Sequence, residues 1–382
     1  MRLGNLIVMS SALLLLPSCA DRKVAVAEEP AAVVPASAGN SAAEAKMMPQ
    51  AGNSLRVFFW NAENLYDLVD DPLTGDENWL PGGRERWSER VLADKIANMG
   101  EMIRAENPDV IGLVEIESQA VVDRLMREGM KVEYPTSIAD ARGDARGIRA
   151  GFISRFPTVD RRSHQVWNEE WINEDGKHEV TRDILEVTVD TGASGSARYV
   201  TFLVNHWPSR SGGEIRIGWR KQAAAVMARR TAELFAQHPD RLVVSMGDFN
   251  DELKDPPFTE ALSLLPPGVY RGTPDALSFL APGFELLSRP FEEQGTYYWH
   301  GGKVWNILDH VLVAEGPSLQ RGVSKSFAYR PGSFRVVRDA RFEDARGIPN
   351  NCSVYGRRDA GDESRCMVGV SDHRPVVADF IY

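Results

Sequence analysis

The chain has 382 residues, 43% of them hydrophobic, with 54 acidic side chains against 44 basic ones and a formal charge of −10. Such a length and apolar content fit one large or two ordinary globular domains. The acidic balance counts against a broad basic footprint for nucleic acid, although local basic stretches can still bind phosphate.

In chain order, Met1-Arg2 is followed by an apolar run through Leu16 and then Pro17-Ser18-Cys19. This is the pattern of an export signal over residues 1–19. It is short for a membrane span, which needs about 20 apolar residues. Leu16 to Cys19 also resembles a lipobox, in which Cys19 would be lipidated and Ala20 would favour the outer membrane. Pro17 departs from the usual residue there, so an ordinary cleaved signal stays open. The expected location is therefore an outer-membrane or periplasmic lipoprotein, otherwise a periplasmic or secreted protein. Residues 20–54, rich in Ala, Glu, Pro, Ser and Gly, read as a disordered tether. One folded domain is expected over 55–382.

Within that domain, short β-rich runs occur at Leu55 to Trp60, Val110 to Val114, Ile148 to Ser154, Ile184 to Val189, Tyr199 to Asn205, Leu242 to Met246, Ile307 to Val313 and Val376 to Ile381. Many are continuously apolar, as in a sheet covered on both faces. A helix is predicted over 84–106, with Leu92, Ile96, Met99 and Ile103 in one stripe and Pro108 as a stop. Another runs from about Arg216 to Gln237 along Ala223, Val226, Met227 and Leu234, with Arg230 interrupting the stripe so that the face reads as partly buried. Gln119 to Glu128 forms a shorter helix. The mixture predicts an α/β (α+β) four-layer sandwich: two packed, mainly antiparallel sheets flanked by helices. Cys352 and Cys366 flank a polar loop that a disulfide would close, with two free thiols as the alternative. Without a Cys-x-x-Cys pair, a cysteine zinc site is not expected.

Polar residues repeatedly stand at strand ends. Asn61 and Glu63 follow the first run, Glu115 the second and His206 the fifth. Asp248 and Asn250 follow Val243-Val244, Asp309 follows Ile307-Leu308, and Asp372 and His373 precede the last run. One such residue is usually a cap or turn, but six clusters suggest a rim where strand ends converge. Carboxylate and amide oxygens suit Mg²⁺, Mn²⁺ or Ca²⁺, and two histidines can serve as acid and base. An ion with few protein ligands leans on substrate phosphates, so the expected chemistry is phosphate-ester hydrolysis. An EF-hand starting at Asp248 fails, because its sixth and twelfth positions are Leu253 and Thr259. There is no His-Glu-x-x-His, Walker or Gly-x-Ser-x-Gly motif.

The order WNAENL, GLVEIES, NHWPSR, GDFND, ILDHVLV and SDHRPV, spread over 55–382, resembles the endonuclease/exonuclease/phosphatase superfamily of DNase I-like nucleases, phosphatases and sphingomyelinases. The resemblance implies metal binding by Glu115, with Asn61 and Asp372 in the metal region and Glu63 behind them. It implies that His206 contacts the phosphate or acts as acid, that Asp248 and Asn250 orient water and phosphate, and that Asp309 holds His373 as base or phosphate contact. Relatives often carry Gln where Val114 stands. Asp251 reads as a turn residue and His310 as structural, pointing away from the site.

For the substrate, Arg210, four residues past His206, is the best phosphate candidate. Arg142, Arg146, Arg149, Arg216 and Arg220 are read mainly as solvated charges. Trp207 and Trp299 could stack bases or simply pack. The expected activity is that of an extracytoplasmic DNA or RNA nuclease. A phosphatase or phospholipase acting on sugar phosphates, inositol phosphates or sphingomyelin is the alternative, and a binding lipoprotein on a decayed nuclease fold a third. A monomer is expected, touching membrane only through an N-terminal lipid.

Overall fold

Two strand–helix–strand units set the frame of the computed structural model, which describes residues 54–166, 180–261, 295–351 and 369–382. In the first, strand β1 (Ser54–Leu65) leads through helix α1 (Glu89–Glu106) into β2 (Val110–Ile116), and β1 and β2 pair in parallel. In the second, β7 (Tyr199–His206) leads through α3 (Ile215–Gln237) into β8 (Leu242–Asp248), again in parallel. Each unit supplies the centre of one sheet. All other pairings are antiparallel, so the sheets are mainly antiparallel as expected.

The larger sheet runs β12 (Ala328–Tyr329), β14 (Val376–Ile381), β1, β2, β4 (Arg149–Ser154), β3 (Thr136–Ala139), with β13 (Arg335–Val336) also on β14. The other runs β11 (Asp309–Glu315), β8, β7, β6 (Ile184–Asp190), β5 (Thr158–His164). A small hairpin, β9 (Tyr297–Trp299) and β10 (Val304–Asn306), stands apart. Between the sheets, Val57, Phe59, Val110 and Phe152 meet Val187, Phe202, Val204 and Met246, and that cluster continues into α3. The sheets approach closely at Gly112, where a Cβ would lie 2.7 Å from the Met246 sulfur. On the outer face of the larger sheet, Phe58, Trp60, Ile111 and Leu113 pack on α1 and on α2 (Gln119–Arg124). The order of layers is helix, sheet, sheet, helix.

Helix α1 begins where the Ser88 side chain accepts from the Val91 N–H and ends at Asn107, left-handed at φ 47°, just before Pro108. Its stripe of Leu92, Ile96, Met99 and Ile103 is buried, and Lys95 is buried with it. In α3 the sequence reading needs correction. Arg230 does not leave the face half-open: it is buried, and its Nε and second amino nitrogen donate to both Glu186 oxygens at 2.6 and 3.0 Å. The eight expected strands are present. β3, β5, the hairpin, β12 and β13 were missed because they are short or carry charges on exposed faces.

Among the described residues, no helix is long and apolar enough to cross a membrane. The export signal, the tether, Cys19 and the Cys352–Cys366 bridge lie outside the described residues.

Candidate active site

The carboxyl ends of the four parallel strands point to one edge of the sandwich, and the functional side chains collect there. β1 ends in Asn61 and Glu63, β2 in Glu115, β7 in His206 and β8 in Asp248. Two strands running the other way start at the same edge, so Asp309 opens β11 opposite Asp248, and His373 lies just before β14. Tertiary folding thus brings together residues up to 312 positions apart from Asn61 to His373.

Backbone irregularity aims several of these groups. Glu63, Asn64, Glu115 and Asn250 take left-handed conformations, with φ of 47°, 57°, 59° and 52°. The β1–β2 ladder slips register between Asn61 and Leu65, and the β2–β4 ladder between Leu113 and Ile116. Bulges of this kind re-aim side chains, and a left-handed non-glycine residue costs on the order of 1 kcal/mol or more.

At the centre is Asp248. Its Oδ2 accepts from the Asn61 side-chain amide at 3.0 Å and its Oδ1 from the Asn250 N–H at 2.9 Å. The same Oδ2 lies 3.7 Å from His206 Nε2 and 3.8 Å from His373 Nε2. These gaps exceed hydrogen-bond length, so two imidazoles and a carboxylate face a common space instead of saturating one another. Burial pushes Asp248 up to about 7, with the Asp309 carboxylate adding and His373 opposing.

The two histidines are driven apart. His373 Nδ1 shares a 2.8 Å hydrogen bond with Asp309 Oδ2. Burial works against its charge, but Asp309 and Asp248 outweigh it and hold the imidazole well above its ordinary pKa. The ring rests 4.9 Å from that of Tyr297, and the main chain is fixed by the Trp60 indole N–H donating to the His373 carbonyl at 2.9 Å. His206 moves the other way: burial, then the positive charges of Arg182, Arg146 and His373, hold it well below its usual value. Its Nδ1 is buried without a hydrogen-bond partner, and its Nε2 lies 3.7 Å from Glu115 Oε1.

Glu115 accepts from the Asn64 N–H at 3.0 Å and from the Asn61 amide at 3.4 Å. Asn61 therefore reaches both Glu115 and Asp248 with its nitrogen, while its oxygen accepts from the Glu63 N–H at 2.9 Å. In this arrangement it orients two carboxylates and keeps its own oxygen turned away from them. Glu63 sits behind, accepting from the Asp372 N–H at 3.0 Å and from Asn351 at 2.8 Å. Burial, with Asp372 and Glu115 adding, raises Glu63 well above the usual carboxylate range, against the pull of Lys95. Lys95 donates to the Glu63 carbonyl at 2.5 Å.

Could a divalent ion fit? Asp248, Asp309 and His373 each bring one ligand atom within 4.8 Å of the others, so this group could bind one. His373, however, is held by Asp309 and favours its charged form, which cannot ligate. The oxygens of Glu115 and Asp372, beside a raised Glu63, suit a hard cation better. Asp372 and Glu115, both only partly buried, add to burial in raising the pKa of Glu63, a crowding of carboxylates that favours the arrival of positive charge.

Other residues fall elsewhere than the sequence suggested. Arg210 donates to the Asn250 carbonyl at 2.8 Å, to Asn306 at 3.2 Å and to Asp255 at 2.5 Å, so its fork braces the turn after β8. Asp251 is more than a turn residue: it is buried and accepts from Arg220 Nε at 2.5 Å. Asn250 donates through its side chain to the Trp207 carbonyl at 3.0 Å. Trp207 is buried between Phe249 and Phe258, which settles it as packing. His310 is buried too, bonded to the Asp251 carbonyl at 2.9 Å. Trp299 is 54% exposed on β9.

Sequence reasoning missed Arg182, whose two amino nitrogens donate to Asp144 at 3.2 Å and to the Trp207 carbonyl at 3.1 Å, with Nε unpartnered. Nothing in its surroundings in the sequence marked it. Lys95 could have been found, since it stands four residues after Val91 on the apolar face of α1.

A two-sheet α/β sandwich with carboxylates and histidines gathered at the strand ends defines a class of phosphoester hydrolases. A sequence model described as "Endonuclease/Exonuclease/phosphatase family" matches residues 56–381, and the chain belongs to that family, whose members are hydrolases of phosphoesters that commonly use divalent metals. Truncated TDP2 from Caenorhabditis elegans is similar in structure, at 16% identity and TM-score 0.51, over 86% of this chain and 98% of that one. A D. rerio TDP2 humanized by 14 mutations has 13% identity and TM-score 0.51, over 87% of this chain and 100% of the other. At such identity the likeness shows the fold alone. None of the curated proteins compared matches the chain.

Proposed function

We propose that this chain is an exported, divalent-metal-dependent phosphodiesterase that cleaves DNA or RNA. The observation that supports this reading best is the Asp248 carboxylate flanked at 3.7 and 3.8 Å by two imidazoles held at opposite ends of their titration range. Titrating groups pushed apart in one cleft are the mark of assigned acid and base roles. Glu115 and Asp372 would hold Mg²⁺, or Mn²⁺ or Ca²⁺, with Asn61 orienting the set, and the ion would polarise a phosphoryl oxygen and offset developing charge.

The remaining roles follow from the side chains. Asp248, raised to about 7, takes a proton from the attacking water near neutral pH, and the Asn250 N–H keeps it aimed. His373, charged and braced by Asp309, offers its Nε2–H to the phosphate. His206 stays neutral and lines the other side. Arg146 and Arg182 add positive charge on the Glu115 side, which favours an anionic substrate. Trp299, exposed on the strand that carries Tyr297 against His373, would offer a base a face to stack on. Export, and anchoring through Cys19, rest on residues 1–19 alone.

The test is a substrate panel: plasmid DNA, RNA, bis-p-nitrophenyl phosphate, p-nitrophenyl phosphate and sphingomyelin, each with Mg²⁺, Mn²⁺, Ca²⁺ or chelator. Diester and nucleic-acid cleavage abolished by chelator supports the proposal. Activity confined to monoesters or sphingomyelin would replace it with the phosphatase or phospholipase reading. Binding without turnover under every metal would replace it with a binding protein.

A further inference from the structure

Lysine is almost never fully buried without a partner, yet Lys95 is 1% exposed, on the apolar face of α1 with Leu92, Ile96 and Met99. Its Nζ donates to the Glu63 carbonyl at 2.5 Å and stands 5.6 Å from the centre of the buried Trp87 ring. Burial opposes its charge, and the Glu63, Asp372 and Glu115 carboxylates favour it.

The carbonyl it meets belongs to the bulge at the end of β1. The β1–β2 register passes from Asn61 to Leu65 and leaves out residues 62–64, of which Glu63 and Asn64 are left-handed. A buried carbonyl outside the ladder needs another donor, and Lys95 supplies it from the helix. The same short bulge holds the groups assigned to the ion. The Asn64 N–H donates to Glu115 at 3.0 Å, the Glu63 carboxylate accepts from the Asp372 N–H at 3.0 Å, and the Asn61 carbonyl accepts from the Ser371 hydroxyl at 2.7 Å. Three residues further along α1, the Asn98 amide donates to the Gly369 carbonyl at 3.3 Å, so the helix also grips the chain just before Asp372.

We propose that Lys95 is a positioning residue for the metal region: by pinning the Glu63 carbonyl it holds the bulge in place and, through it, the Glu115 and Asp372 carboxylates. This rests on the reading that those two carboxylates hold the ion. Lys95 touches neither ion nor substrate and acts through the main chain of residues 61–64. Without its bond, Glu63 and Asn64 are free to leave a conformation that costs on the order of 1 kcal/mol or more each. The Asn64 N–H then swings off Glu115, and the Glu63 carboxylate off the Asp372 main chain.

The test is Mn²⁺ titration of the full-length protein by calorimetry, without substrate, for wild type, Lys95→Met and Met99→Ala. Lys95→Met keeps the length of the side chain and removes the donor. It should weaken Mn²⁺ binding by about 10–100-fold, the usual effect of losing a group that holds the ligands in place. Turnover lost at low Mn²⁺ should return as the ion is raised by the same factor. Met99→Ala removes core volume from the same helix, so it should lower the melting temperature and leave Mn²⁺ affinity as in wild type. Wild-type affinity in Lys95→Met, or an equal loss in Met99→Ala, would overturn the proposal. A wild type that binds no divalent ion would overturn the metal reading itself and the proposal with it. If Lys95→Met does not fold, Lys95→Gln, whose amide falls short of the carbonyl, is titrated in its place, and wild-type affinity there overturns the proposal equally.

Discussion

Glu186 and Asp248 are both buried carboxylates on the same five-stranded sheet, and their environments treat them in opposite ways. Glu186, under α3, is paired with Arg230 at 2.6 Å and with His164 at 2.7 Å. It is drawn down to about 2, because those hydrogen bonds and charges overcome the cost of burial. Asp248 receives only the Asn61 amide and the Asn250 N–H, while both imidazoles stand off, and burial lifts it to about 7. The fold can neutralise a buried carboxylate where only stability is at stake. At the strand ends it withholds the partner, leaving a carboxylate able to exchange a proton near neutral pH and a cluster that gains from a cation.

The contrast can be broken most forcefully at the rim. Asp248→Ala or His373→Ala should each lower turnover on bis-p-nitrophenyl phosphate by about 10²–10⁴-fold, with an unchanged circular dichroism spectrum. Near-normal turnover in either variant would sink the assignment. Glu186→Gln should do the reverse. It should leave turnover per folded molecule intact but cost about 3–5 kcal/mol in urea unfolding, because the buried Arg230 then keeps only the exposed Glu233, at 3.1 Å, as counter-charge.

The pH dependence sharpens the same comparison. The folded pKa of Glu186, about 2, lies below its ordinary 4.5, so its stabilisation is present above that value and is lost as pH falls towards 2. Glu186→Gln should flatten this acid limb. Asp248 has a folded pKa of about 7 above its ordinary 3.8, so its contribution is present below 3.8 and lost as pH rises through 7. Metal-free protein should therefore weaken over that window, and Mg²⁺ should reduce the weakening. Unfolding curves that show no such metal effect would contradict an ion at this rim.

Smaller effects separate phosphate from base recognition. Arg146→Ala should raise KM for the diester by about tenfold, with a lesser change in kcat, as loss of one charge-assisted contact predicts. Trp299→Ala should weaken single-stranded DNA binding by about 1–3 kcal/mol while sparing bis-p-nitrophenyl phosphate. Equal losses on both substrates would remove Trp299 from base stacking.

How much of this was legible beforehand varies with the residue. The strand-end polar residues could be read because a chain that buries Val243 and Val244 has few reasons to follow them with Asp248 and Asn250. The strand ends and helices were legible for the same reason, as apolar period and breakers mark them. Arg210 was misplaced because closeness in sequence to His206 says nothing of which carboxylate its fork will meet; Asp255, across the turn, takes it. Arg230 looked like a flaw in an apolar stripe only until Glu186 was found opposite.

The sequence by itself determined the layered α/β design, the residue types at the rim and the order in which they arrive. Local hydrophobic patterning and turn chemistry act over a few residues, so they can be read from a few residues. Tertiary structure alone decided that the carboxyl ends of the two parallel units face the same space, that His373 is charged by Asp309, and that burial, helped by Arg182 and Arg146, keeps His206 neutral. Those outcomes depend on desolvation and on charges tens to hundreds of residues away, which no local pattern records.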